Sequence, residues 1–244
     1  MIKKLKLSVV IPTIGRDIIS IKEILKYKIK LFVVIDNNNI FKKKFFHKYS
    51  KEINKKKIEV ISINKKVGIN KLRYYGAIKS NSKYILFVDD DDDIDAKQLL
   101  KIFNYLTKKD IDLIISNYNF RHKNKSIIFS PLINLFGKYS PFVKTITPGG
   151  GTIYNKKIIK NLYKYDFDRF EDWCIGIMLI YKLKKKYILN KDIFYHVNYK
   201  KKQNKNFWNT LKFRFNFSKK FGFFPLIHST ISYFFSQIFI KKFK

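Results

Sequence analysis

Along the first half of the chain, short β-branched runs alternate with segments whose apolar residues recur every three or four positions. Residues 7–11 read as a strand ended by Pro12, and 17–26 as a helix. Residues 31–35 form a second strand, stopped by Asp36-Asn37-Asn38-Asn39. The lysine-rich, aromatic segment 41–51 reads as helical, 58–63 as a third strand, 70–79 as a helix and 84–88 as a fourth strand. A helix over 95–106 and a strand over 112–116 follow. Alternation of this kind predicts an α/β fold with a mixed, mainly parallel sheet flanked by helices. Ligands in such sheets bind at the carboxyl ends of strands, and Thr13, Asp36 and Asp89 each lie at or just past one.

The second half is less regular. Residues 120–150 carry Pro131, Pro141, Pro148 and the run Gly149-Gly150-Gly151, which predict loops and short antiparallel strands. The glycines read as a tight turn, since no Gly-Lys-Ser/Thr ending marks a phosphate cradle. Helical patterns resume at 155–162 and 171–183.

From residue 201 the composition shifts: ten basic residues, no acidic ones and thirteen aromatics. The uncharged stretch 221–240 is bracketed by Lys219-Lys220 and Lys241-Lys242. On a helical wheel Ile227, Ile231, Phe234, Phe235 and Ile238 share one face, with Ser229, Ser232, Ser236 and Gln237 opposite. That separation suits a helix lying in an anionic membrane surface, with packing on the domain or a true span as alternatives. The expected division is therefore a core of 1–200 and a basic, aromatic, helical extension of 201–244.

Charge adds a constraint on partners. The 244 residues include 52 Lys and Arg against 18 Asp and Glu, a formal net charge of +34. Only five of the basic residues are arginine, so the field is diffuse and suits anionic surfaces better than base readout by arginine forks. A hydrophobic share of 46% argues for a folded core. Cys174 is the only cysteine, which excludes an intramolecular disulfide and fits a reducing compartment. The apolar run after Met1-Ile2-Lys3-Lys4 is too short for a secretory signal.

Against this basic background stand five consecutive aspartates, Asp89 to Asp93, directly after the fourth strand. Carboxylates this dense call for a positive partner, and a magnesium or manganese ion suits them. The alternative is an acidic turn capping the next helix.

Five segments together resemble the family 2 glycosyltransferases of GT-A fold: Ser8-Val9-Val10-Ile11-Pro12-Thr13, Val33-Val34-Ile35-Asp36-Asn37-Asn38, the stretch from Gly68 through Arg73 to Gly76, the strand leading into Asp89-Asp90-Asp91, and Glu171-Asp172-Trp173. Their order and spacing hold over about residues 7 to 190. The resemblance implies that Pro12, Thr13 and Asp36 line the donor side, with Asp36 facing the nucleotide base. It places Arg73 near the donor diphosphate. Asp89 and Asp91 fill the Asp-x-Asp positions, Asp91 ligating a divalent cation (Mn²⁺ or Mg²⁺) and Asp89 the donor ribose or metal-bound water. A register one residue on, at Asp90 and Asp92, is the alternative, and Asp90 is kept with the donor-side group. Otherwise Asp90, Asp92 and Asp93 read as solvated charge or helix caps.

Asp172 is implied as the general base that takes the acceptor hydroxyl's proton, with Glu171 and Trp173 on the acceptor side. His196 is a candidate further metal ligand. Each has an ordinary reading: turn chemistry for Asp36, a covered surface for Arg73, helix N-terminal charge for Glu171-Asp172, core packing for Trp173 and His196. The function expected is inverting transfer from a nucleotide sugar, UDP-linked, to a glycan or lipid-linked hydroxyl acceptor in surface polysaccharide synthesis. Its place would be the cytoplasmic membrane face, reached through the extension, with no specific nucleic acid. The alternatives are a sugar-phosphate nucleotidyltransferase, for which Thr13-Ile14-Gly15-Arg16 is too short a basic loop, and a basic nucleic-acid-binding protein.

Overall fold

The computed structural model describes residues 7–106, 111–122, 125–130, 138, 151–162, 171–198, 207–227, 229–231 and 233. The strands are β1 (Leu7–Thr13), β2 (Lys30–Asp36), β3 (Ile58–Ile63), β4 (Tyr84–Phe87), β5 (Asp93–Ile94), β6 (Leu113–His122), β7 (Lys125–Phe129), β8 (Thr152–Asn155) and β9 (Tyr187–Asn198). The helices are α1 (Ile21–Leu25), α2 (Asn39–Lys48), α3 (Ser50–Asn54), α4 (Ile69–Lys79), α5 (Ala96–Leu106), α6 (Lys156–Leu162), α7 (Glu171–Gly176) and α8 (Phe207–Lys219). From α7 the chain runs on in a wider π turn, Ile177–Lys182, where the Leu183 amide reaches back five residues to the Met178 carbonyl.

One sheet joins the strands in the order β3-β2-β1-β4-β8-β6-β9-β5, with β7 added beside β6. Pairing is parallel from β3 to β4 and between β6 and β9, and antiparallel at β8, β5 and β7. This is the mixed, mainly parallel sheet the alternation predicts. Successive residues of a strand face opposite ways, so Val9, Ile11, Val33 and Leu86 enter one apolar cluster while Val10, Val34, Ile85 and Phe87 enter another. Both faces are covered, which is why these strands read as continuous apolar runs. Helix α4 lies close on the second face: a Cβ on Gly76 would come within 2.3 Å of Val10 and 2.9 Å of Val34.

The structure departs from the sequence expectations in five places. Strand β1 runs through Pro12 to Thr13 instead of ending at the proline. Helix α1 spans five residues where 17–26 was expected, because the Ile19 amide donates to the Asp90 carbonyl at 3.2 Å instead of entering a helix. The strand expected over 112–116 continues to His122 and turns back as β7. A twelve-residue strand, β9, carries His196 where the sequence reading assigns no element. The aspartate run itself contains a strand, β5. The prolines Pro131, Pro141 and Pro148 and the glycines Gly149 and Gly150 lie outside the described residues.

Helix α8 and Phe221 after it pack on α7 and the π turn. Trp173 meets Phe213 and Phe217 at centroid distances of 6.4 and 5.4 Å, and Tyr181 meets Phe221 at 5.9 Å. Beyond α8, Gly222 turns the chain with φ +106°, and residues 223–227, 229–231 and 233 are helical. Among the described residues no helix is long and apolar enough to cross a membrane.

Candidate functional site

Parallel register brings three strand ends together. Thr13 lies beside Ile35, Asp36 beside Ile63, and β4 runs alongside β1 into the aspartates. Each polar group there is held by a specific partner. The buried Thr13 hydroxyl donates to Asp90 Oδ2 at 2.7 Å and accepts from the Gly15 and Arg16 amides at 3.0 and 3.2 Å. Pro12 is buried in β1 and donates no amide hydrogen bond. Asp36, also buried, accepts from the Val67 amide at 3.1 Å, which draws the segment before α4 against the end of β2. Asn38 caps α2 through its Oδ1 and donates to the Ile14 carbonyl at 3.0 Å, joining the loops after β1 and β2. A Cβ on Gly15, at φ +107°, would collide with that Asn38 side chain.

The aspartates have five different environments. Asp89 pairs with Arg73 at 2.7 Å; the arginine is only 2% exposed, so its charge is buried against this carboxylate. Asp90 is buried, and burial raises its pKa above the ordinary carboxylate range against the pull of Thr13 and Arg16. Asp91 stands at the tip of a turn closed by the Asp92 amide on the Asp89 carbonyl. It is half-buried and lies 3.4 Å from Arg16 Nη1.

Asp92 is buried, accepts from the Tyr195 hydroxyl, and takes the Asn198 amide at 3.0 Å on its other oxygen. Burial pushes its pKa up to about 7. Asp93 belongs to β5 and stands 3.9 Å from Arg121. The cap of α5 is Asp95, whose Oδ1 receives the Gln98 amide at 2.8 Å. The reading of Asp90 and Asp92 as solvated charge or helix caps is therefore corrected: both are buried, and the capping falls to Asp95.

On the other side, Glu171 and Asp172 open α7; their side chains lie outside the described residues. Trp173, expected on the acceptor side, is 5% exposed and enclosed by Phe213, Phe217 and the Arg214 guanidinium, 4.7 Å from its ring. That placement fits the core-packing reading of Trp173, with the ring joining α7 to α8. His196 sits on β9 opposite Asp93 of β5 and beside Asn119 of β6. Its Nδ1 is buried and makes no hydrogen bond among the described residues, and its pKa is lowered by burial and then by Arg121, favouring the neutral ring.

Whether these residues suit a divalent cation turns on the donor set. Among the described residues no group of three His, Cys, Asp or Glu side chains forms a cage. Magnesium commonly takes only one or two carboxylates and completes its shell with water and substrate phosphate. The turn presents two half-buried carboxylates, Asp89 and Asp91, and the exposed Arg16 contact to Asp91 is of a weak kind. The residues fit a cation shared with a phosphorylated substrate.

The sequence matches the model of Glycosyl transferase family 2 over residues 8–165, which takes in β1 to β4, the whole aspartate turn and β8. The chain belongs to glycosyl transferase family 2. The matched stretch ends before Glu171, so α7, β9 and α8 are members of the fold that the family model does not reach. Among solved structures the chain is similar to S. aureus TarS 1-349 in complex with UDP. The TM-score is 0.62 and identity 21%, over 80% of this chain and 61% of that one. It is likewise similar to S. aureus TarS 1-349 in complex with UDP-GlcNAc, with TM-score 0.61 and 18% identity over 85% and 64%. At these identities the likeness shows the shared GT-A fold, and this chain spans less than two thirds of those proteins. No curated protein matches the chain.

Four residues at the site escaped the sequence reading: Arg16, Asn38, Tyr195 and Asn198. Asn38 stood within a recognised segment and Arg16 in the short loop just past one, and neither carried a distinguishing pattern. The other two act through the β5–β9 register, which local periodicity does not reveal.

Proposed function

We propose that this glycosyltransferase moves a sugar, with inversion, from a nucleotide-diphosphate donor, UDP-linked, to a hydroxyl of a glycan or lipid-linked acceptor in surface polysaccharide synthesis. The observation that carries the donor side is the turn at the end of β4, where Asp89 is oriented by buried Arg73 and Asp90 is bonded to Thr13, on the same sheet edge as Asp36. The TarS structures bound to UDP and UDP-GlcNAc lend the choice of nucleotide its support.

In this reading Asp36 faces the nucleotide base, Pro12 and Thr13 line the donor side, and Asp89 meets the donor ribose or metal-bound water. Asp91 holds a Mn²⁺ or Mg²⁺ ion, with the neutral His196 ring as a further donor. When bound, that cation supplies Lewis-acid stabilisation of the departing diphosphate. Arg73 holds Asp89 in place through their 2.7 Å contact, and its own positive charge adds to the field at the leaving group. Asp172, at the start of α7, takes the proton from the attacking hydroxyl, and Glu171 contacts the acceptor or holds the loop. The enzyme works at the cytoplasmic face of the membrane as a peripheral protein.

A thermal-shift screen of nucleotide-diphosphate sugars with and without manganese tests the donor side. Metal-dependent stabilisation by one donor, lost in Asp91→Ala, is expected. Equal shifts in the two proteins would sink the metal assignment.

A further inference from the structure

The helical residues after Gly222 are turned inside out. Phe223, Phe224, Ile227 and Ile231 are 70%, 64%, 37% and 51% exposed, and their spacing places them within about a third of a turn on one helix face. The opposite face goes inward: Ser229 is fully buried and Tyr233 nearly so. What holds that polar face in is Arg214 of α8. Its guanidinium lies 5.4 Å from the Tyr233 ring centroid and 4.7 Å from that of Trp173, and its Nε donates to Ser229 Oγ at 3.3 Å. A helix packed merely to finish a soluble core would bury its phenylalanines and expose its serines.

The charge around this face selects its partner. Residues 201–244 hold ten basic side chains and no acidic one, and Lys212, Lys219 and Lys220 are exposed on α8 and at its end. A second copy of the chain would set lysines against lysines, whereas an anionic lipid surface offers both acyl chains for the rings and headgroup charge for the ammonium groups. Nucleic acid would satisfy the lysines but not the aliphatic Ile227 and Ile231.

We propose that Phe223, Phe224, Ile227 and Ile231 form a docking face for an anionic bilayer, and that the Arg214 cluster fixes this face rigidly to α7, the helix that opens with Glu171-Asp172. The docking face deepens the peripheral membrane placement proposed above and stands apart from the transfer chemistry alone. Its consequence, that the bilayer sets the orientation of the acceptor side, rests on that chemistry.

The test is sedimentation of the full chain with phosphatidylglycerol vesicles and with phosphatidylcholine vesicles. Binding to the former only is expected. The double variant Phe223→Ser, Phe224→Ser should bind about ten-fold more weakly or worse, since both rings lose their burial in the interface. Lys219→Gln with Lys220→Gln should weaken binding at low salt and matter less at high salt. A melting temperature unchanged by these exposed substitutions confirms the fold.

Equal binding by the phenylalanine variant would reduce the contact to charge alone and overturn the proposal. So would failure of the wild type to sediment, or a doubled mass in vesicle-free buffer that the phenylalanine variant abolishes. Donor hydrolysis with manganese, measured on the same samples, separates the two readings: hydrolysis without vesicle binding refutes only the docking face, and vesicle binding without hydrolysis refutes only the transfer chemistry.

Discussion

At the ends of β1 to β4, buried polar side chains are held by other polar side chains: Arg73 by Asp89, Asp90 by Thr13, Asp92 by Tyr195. Between α7, α8 and the helical residues after Gly222, a buried cation lies under aromatic rings instead, Arg214 beneath Trp173 and Tyr233. The first arrangement leaves Asp89 and Asp91 half-exposed on a fixed scaffold, which suits a small anionic substrate and its metal. The second draws the polar side of a helix inward and pushes its apolar side out, which suits a surface. Charge is buried in both places, but what holds it differs: a carboxylate in the first, aromatic rings in the second.

The largest effect that separates the two regions is on turnover. Asp172→Asn should lower the transfer rate by ~10²- to 10⁴-fold through loss of general-base help. Phe223→Ser with Phe224→Ser should leave kcat on a soluble acceptor as in the wild type. Steady-state assays with both proteins check this, and full transfer activity in Asp172→Asn would remove the general base from the scheme.

Next comes stability. Asp89→Ala withdraws the carboxylate from a 2%-exposed guanidinium and should cost ~3 kcal/mol in denaturant unfolding. Arg214→Met, which fills the same space with an apolar chain under the two rings, should change stability by no more than about 1 kcal/mol. Burial already lowers the Arg214 pKa to about 10, so the fold holds that charge at a cost that methionine removes. Similar losses in the two variants would erase the distinction between paired and ring-covered cations. Ser229→Ala should fall in the same range as Arg214→Met, at about 1 kcal/mol or less for one hydrogen bond.

Much of the first region was legible along the chain because parallel strands buried on both faces write themselves as apolar runs, and their ends carry Thr13, Asp36 and Asp89 in plain order. Strand β9 was not. Its pairing with β6 shifts between Ser116 and Asn117, leaving the exposed Lys191 and Asp192 outside the regular register, so the sequence shows a polar break where the backbone stays extended. The partners of Asp92 were hidden for the same reason. In the C-terminal stretch the wheel separated the apolar and serine faces, but a wheel carries no information on which face turns inward. Arg214, fifteen residues before Ser229, decides that.

The most gradual effect is a slope with pH, and it probes the first region's paired burial directly. Burial raises the Asp92 carboxyl to about 7 in the fold, while the unfolded chain titrates near 3.8. Between those values the native protein binds the extra proton, so this group's contribution is greatest in acid and declines as pH rises from about 4 to 7. Asp92→Asn keeps a neutral side chain able to accept from the Asn198 amide and lacks the titration. Unfolding followed from pH 4.5 to 7.5 with a chelator present should show the wild type losing stability relative to Asp92→Asn as pH rises. A single proton limits that slope to about 1.4 kcal/mol per pH unit. Tyr195→Phe should extend the decline to higher pH, because the hydroxyl that favours the ionised carboxyl is gone. Parallel pH profiles for wild type and Asp92→Asn would show that this carboxyl is charged throughout. The bond to Tyr195 would then be one between an ionised Asp92 and its donor.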